Sequence, residues 1–150
     1  MKNSFDPNDT AEFLSRIDRL TPSSKTIWGS MEVERMLAHC NVTYEMEYDT
    51  IHPRPKGFKK LLLRIFVKNT VVSPKLNKRN APTGAEFIIK DVRNFDIEKK
   101  RLVDYIIKTQ QLGDDYFDGR ESHSFGVLTK QEWNIMFSKH LDHHLTQFGV

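Results

Sequence analysis

Residues Thr129 to Val150 read T-K-Q-E-W-N-I-M-F-S-K-H-L-D-H-H-L-T-Q-F-G-V, and their periodicity decides the fold. Thr129 followed by Glu132 is a capping-box pattern that opens a helix. At about 100° per residue, with Trp133 set to zero, Phe137 falls at ~40°, His140 at ~340°, His144 at ~20° and Phe148 at ~60°. These residues form one stripe, so two imidazoles spaced i,i+4 sit in the apolar seam of a C-terminal helix. On the same wheel His143 lies on the shoulder at ~280°, and Asp142 points to solvent at ~180°.

Outward from this helix, the same period recurs. Ile97, Leu102, Val103, Ile106 and Ile107 predict a helix from Asp96 to about Leu112, ended by Gly113. Asp6-Pro7 is an N-cap followed by a proline at the first helical position, and Ala11, Phe13, Leu14, Ile17 and Leu20 continue a helix from there. Ser30 is expected to cap a second helix from Met31 to about Asp49, with Val33, Met36, Leu37, Cys40 and Tyr44 on its main apolar face. A short basic amphipathic helix is expected over Phe58 to Val67, after the break H-P-R-P-K-G at 52–57. Residues 68–94 and 114–127 read as two long loops, with only Glu86 to Ile89 hinting at extended structure. The pattern predicts an all-α protein: an up-down four-helix bundle with one short extra helix, as a single domain over residues 1–150.

Composition fits a soluble globular chain. Cys40 is the single cysteine, so no intrachain disulfide can form. The N-terminal residues lack the apolar core of a signal peptide, and the run Leu61 to Val67 is too short to span a bilayer. A cytoplasmic protein without a transmembrane segment is the expectation. Charge is uneven: Thr50 to Ala85 holds no Asp or Glu but carries Arg54, Lys56, Lys59, Lys60, Arg64, Lys68, Lys75, Lys78 and Arg79. A solvated basic loop and helix is the expected reading of 54–79, ahead of a surface for nucleic acid or anionic lipid.

Buried imidazoles without partners are costly, so the pair His140/His144 asks for one, and a metal ion is the leading candidate. The residues between them are Leu, Asp and His, so this is not the H-E-x-x-H of a zinc protease. A complete site needs a further ligand from elsewhere, with His39, Cys40, His52 and His123 as candidates. His39 comes level with the pair within about a helical turn, though it lies ~100° from the centre of its own helix's apolar stripe. His52 and His123 fall in loops, and Cys40 reads as a small core residue. His143, Gln147, Tyr44 and Glu45 are candidates for outer-shell or proton-transfer roles.

The motifs W-G-S-M-E-V-E-R-M-L-A-H-C (28–40), S-F-G-V-L-T-K-Q-E-W (124–133) and H-L-D-H-H-L-T-Q-F-G (140–149) resemble the DinB/YfiT-like superfamily. The likeness is closest to its uncharacterised branch with the H-L-D-H-H-L-x-Q-F-G ending, and it is weakest over residues 50–95. It implies an up-down four-helix bundle, often dimeric, with a divalent metal at one end. It also implies that His39, His140 and His144 bind that metal. Zinc or nickel suits imidazole ligands. Some members of the superfamily look like thiol-dependent S-transferases, which would take a small-molecule thiol, or like metal-dependent hydrolases. The catalytic residues of those enzymes have no match here.

Overall fold

Four long helices and one hairpin make up most of the regular structure in the computed structural model, which describes residues 1–150. Helix α1 (Pro7–Asp18) starts as its sequence predicts, the Asp6 side chain accepting from the backbone N–H groups of Asn8 and Asp9. Helix α2 (Val33–Tyr48) starts later than expected: Glu32 stands at its N-cap and makes no side-chain cap, and Ser30 lies outside the helix. Helix α5 (Phe95–Phe117) is capped by Asn94, whose side chain accepts from the Ile97 N–H. Helix α6 (Lys130–Gln147) carries the complete capping box of Thr129 and Glu132.

Three connections differ from expectation. The short basic helix runs from α3 (Gly57–Leu62) through a π-helical turn (Leu63–Val67) into α4 (Lys68–Val72), so it reaches a turn further than the sequence pattern predicts. The extra residue of the π turn shifts the register, which hides the continuation from a regular wheel. A 3₁₀ turn at Ala85–Phe87 replaces the extended stretch. Gly113 interrupts α5 as foreseen, at φ 75° and ψ 170°, but one more helical turn follows it. The expected loop after it contains an antiparallel hairpin of β1 (Arg120–Ser122) and β2 (Gly126–Leu128), with Arg120 opposite Leu128 and Ser122 opposite Gly126. Strands of three residues are too short for a period-2 pattern to register. The Ser122 hydroxyl closes the turn by donating to the Gly126 carbonyl at 2.9 Å and accepting from the Phe125 N–H at 3.0 Å.

The core lies between α1, α2, α5 and α6, and its centre is aromatic. Trp133 stacks on Phe137 at 5.5 Å, Phe137 on Tyr44 at 5.1 Å, and Tyr44 on Tyr105 at 5.7 Å. That column ties α6 to α2 and α2 to α5. Every residue of α2 from Met36 to Glu45 is buried, so this helix has no solvent face over three turns. Its polar residues must therefore find partners inside. Asn41 donates to the Glu98 carboxylate at 2.8 Å, and Glu45 accepts from His52 Nε2 at 2.7 Å and Arg101 at 2.5 Å. No helix is long and apolar enough to cross a membrane.

Candidate metal centre

The burial of α2 on all sides brings His39 inward, toward the two inward histidines of α6. The ring centroids of His39 and His144 lie 4.5 Å apart, and both are 4.9 Å from His140. One nitrogen from each ring falls within 4.8 Å of the other two. His39 Nε2 and His140 Nε2 are 2.9 Å apart. Two nitrogens each about 2.1 Å from one ion, at tetrahedral or octahedral angles, would stand about 3.0–3.4 Å apart. The His39–His140 pair is close to the spacing of two ligands of one ion, and a His144 ring nitrogen lies within 4.8 Å of both.

The opposite ring nitrogens decide which atoms face the centre. His39 Nδ1 lies 2.9 Å from the carbonyl oxygen of Phe87. A carbonyl only accepts, so Nδ1 carries the proton and Nε2 is left with its lone pair. The same logic reaches His144 through one intermediary. Gln147 Nε2 donates to the Trp28 carbonyl at 3.0 Å, which orients the amide. Gln147 Oε1 then accepts from His144 Nδ1 at 2.9 Å, and His144 Nε2 is the free nitrogen. His140 Nδ1 is 3.0 Å from the Thr43 hydroxyl, which can accept or donate. All three Nδ1 atoms are thus engaged outward; this orients all three rings and fixes the tautomer of His39 and His144, while the Thr43 hydroxyl suits either tautomer of His140.

Electrostatics favours neutral rings. His39 and His144 are buried and His140 is half-buried. Burial, reinforced by the neighbouring imidazoles, holds His140 well below the ordinary histidine range and His144 at about 3. Burial also lowers His39, against the hydrogen bond to Phe87. Neutral imidazole is the form that ligates, so the three residues present suit a divalent ion.

Other expected residues take different places. His143 is half-buried on the shoulder, its ring 5.8 Å from Trp28. Asp142 is not free in solvent: Arg16 Nη1 donates to it at 2.6 Å, while Arg16 Nε donates to the Val150 carbonyl at 3.0 Å. Cys40 is buried against Met36, and burial pushes its thiol far above the usual range, away from ligand chemistry. Gln147 bridges His144 Nδ1 and the Trp28 carbonyl. Tyr44 belongs to the core stack, and Glu45 holds His52 and Arg101 instead of a ligand.

A cavity of about 1210 Å³ opens beside the three histidines, between α2, α6 and the segment from α3 to Ile89. His123 and Ser124 of the hairpin turn line it as well. His123 Nε2 donates to the His52 carbonyl at 3.1 Å, which leaves Nδ1 to accept from the Ser124 hydroxyl at 2.8 Å. The sequence reading sets His123 aside as a loop residue, and only the hairpin brings it to the cavity. Thr43 was also overlooked, though it sits i+4 from His39 and so shares its helix face. The carbonyls of Trp28 and Phe87 leave no signal in residue type.

Residues 1–149 match the family described as "Protein of unknown function (DUF1569)". The chain belongs to that family. No curated protein and no solved structure matches the chain.

Proposed function

We propose that His39, His140 and His144 hold a divalent metal ion, zinc or nickel, within a single DinB-like domain whose long helices form an up-down bundle. The observation that carries this reading is the outward engagement of all three Nδ1 atoms, which leaves the Nε2 lone pairs of His39 and His144 for one centre, and that of His140 when Thr43 accepts from its Nδ1. Three imidazole ligands leave coordination positions open, and an ion so held lowers the pKa of a bound thiol or water to give a nucleophile. The reaction class that follows is metal-dependent S-transfer from a small thiol, or hydrolysis. The cavity is large enough for a small organic substrate. Within it, His123 Nδ1 is a base already bonded to the Ser124 hydroxyl, in position to hold a proton for a substrate in the same cavity. A homodimer, by resemblance to the superfamily, and a cytoplasmic location, from the sequence, are part of this reading.

Metal analysis of the purified protein, before and after reconstitution with zinc or nickel, tests the proposal. One equivalent is expected in the wild type and none in the His140→Ala or His144→Ala variants. Protein that stays metal-free after reconstitution sinks it. A second reading, a non-catalytic bundle with structural histidines, draws on the amphoteric Thr43 hydroxyl. If Thr43 donates to His140 Nδ1, then His140 Nε2–H can donate to His39 Nε2, and the chain closes without an ion. Under that reading the histidine substitutions lower fold stability and change no metal content.

A further inference from the structure

The helix from α3 to α4 presents an apolar stripe that nothing in the chain covers. Phe58, Leu61, Leu62, Ile65 and Phe66 recur at i, i+3, i+4, i+7 and i+8, the spacing of one helix face. All five are exposed, Phe58 at 72% and Phe66 at 71%. The helix is nonetheless docked. Leu63 and Val67 line the cavity, Val72 enters the core, and Lys139 Nζ donates to the Thr70 and Ser73 carbonyls at 2.7 Å each. Scattered apolar residues on a surface need no explanation, whereas a contiguous stripe on an ordered helix asks for a partner.

Charge selects that partner. The helix belongs to the stretch from Thr50 to Ala85, which has nine basic and no acidic residues. Lys59, Lys60 and Lys68 are paired, to Glu86, Glu121 and Glu132, and these pairs fasten the helix to the rest of the molecule. Lys56 is exposed and forms no ion pair, and Lys59, next to Phe58, keeps 63% of its side chain exposed in its pair with Glu86, so these two cations remain near the stripe, whereas the Arg64 guanidinium packs against Gly126 of the hairpin. A second copy of the chain would set one basic face against another. A nucleic acid would meet phenylalanine and leucine where it needs cations. An anionic lipid surface matches both properties at once: apolar side chains enter the boundary between headgroups and acyl chains, and cations face lipid phosphates.

We propose that this helix docks the protein on an anionic membrane surface, lying in the interface with Phe58, Leu61, Leu62, Ile65 and Phe66 inserted. The proposal does not depend on the metal reading. Flotation with vesicles of equimolar phosphatidylglycerol and phosphatidylcholine tests it, against vesicles of phosphatidylcholine alone. The expected result is flotation with the anionic vesicles at low salt, reduced by added salt. Because Phe58 and Phe66 lie outside the core, the double variant Phe58→Ser/Phe66→Ser should keep the wild-type circular dichroism and lose flotation. Lys56→Gln/Lys59→Gln should weaken vesicle partitioning by about tenfold or more, since each cation near an anionic surface contributes substantially. No flotation at low salt overturns the proposal, as does equal flotation with neutral vesicles. A dimer in size-exclusion chromatography that Phe58→Ser/Phe66→Ser dissociates assigns the stripe to a second copy and overturns it too. Oligonucleotide binding that ignores the phenylalanine substitutions, in place of flotation, has the same force.

Discussion

Replacing Gln147 by leucine probes the outer support of the proposed metal centre without touching its three histidines. The side chain is buried, accepts from His144 Nδ1 at 2.9 Å and donates to the Trp28 carbonyl at 3.0 Å. Leucine fills similar volume but does neither. Leaving a buried donor and a buried acceptor without partners costs about 1–3 kcal/mol each, so the metal-free protein should lose about 2–6 kcal/mol. The His144 tautomer is then unfixed. Removing such a partner weakens metal binding by about 10–100-fold, or about 1.4–2.8 kcal/mol. Gln147→Glu separates the two effects, because a carboxylate still accepts from His144 Nδ1 but cannot donate to Trp28. It should keep affinity near the wild type while sharing part of the stability loss. Zinc competition against a chromophoric chelator reads affinity, and urea unfolding in excess chelator reads stability. A Gln147→Leu protein that binds zinc within about twofold of the wild type would refute the outer-support argument.

Acid should destabilise the metal-free protein through its histidines. His144 titrates at about 3 in the fold and at 6.5 when unfolded, so below 6.5 the unfolded chain binds the extra proton. Stability is then full above 6.5 and falls toward about 3, by up to about 1.4 kcal/mol per pH unit from this residue, a slope that His144→Ala should flatten in urea titrations across that window. Phe137→Ala removes the ring held between Tyr44 and Trp133 and should cost about 3–5 kcal/mol in urea unfolding. A loss below about 1 kcal/mol would mean the aromatic column is not the centre of the core. Lys139→Met withdraws the ammonium that caps the Thr70 and Ser73 carbonyls, and hydrogen exchange should rise across 57–72 while α2 stays protected.

How much of this was legible in the sequence depends on where each signal resides. His140 and His144 could be read because α6 has a regular wheel, with one face apolar. His39 could not, because α2 is buried on all faces and a stripe has no meaning on such a helix. Its level along the helix axis favoured it over His52 and His123 in their loops and over Cys40 as a core residue, and the resemblance named it. The hairpin was illegible because its strands are three residues long. The period of the basic helix was legible, but periodicity gives a face and not the direction in which that face points. Its apolar stripe lies at the surface in the fold.

The acceptors that orient His39 and, through Gln147, His144 are the backbone carbonyls of Phe87 and Trp28, in the segments leading into and between helices. Every amino acid supplies a carbonyl, so no side-chain replacement at 28 or 87 can delete these two anchors. What can displace them is a change in chain length. A residue inserted between Gly84 and Asn94, or between Leu20 and Glu32, would slide a different carbonyl past the imidazole and let its proton settle on the other nitrogen. The centre is thus tolerant of substitution in its loops and intolerant of insertion, the reverse of what surface loops ordinarily permit.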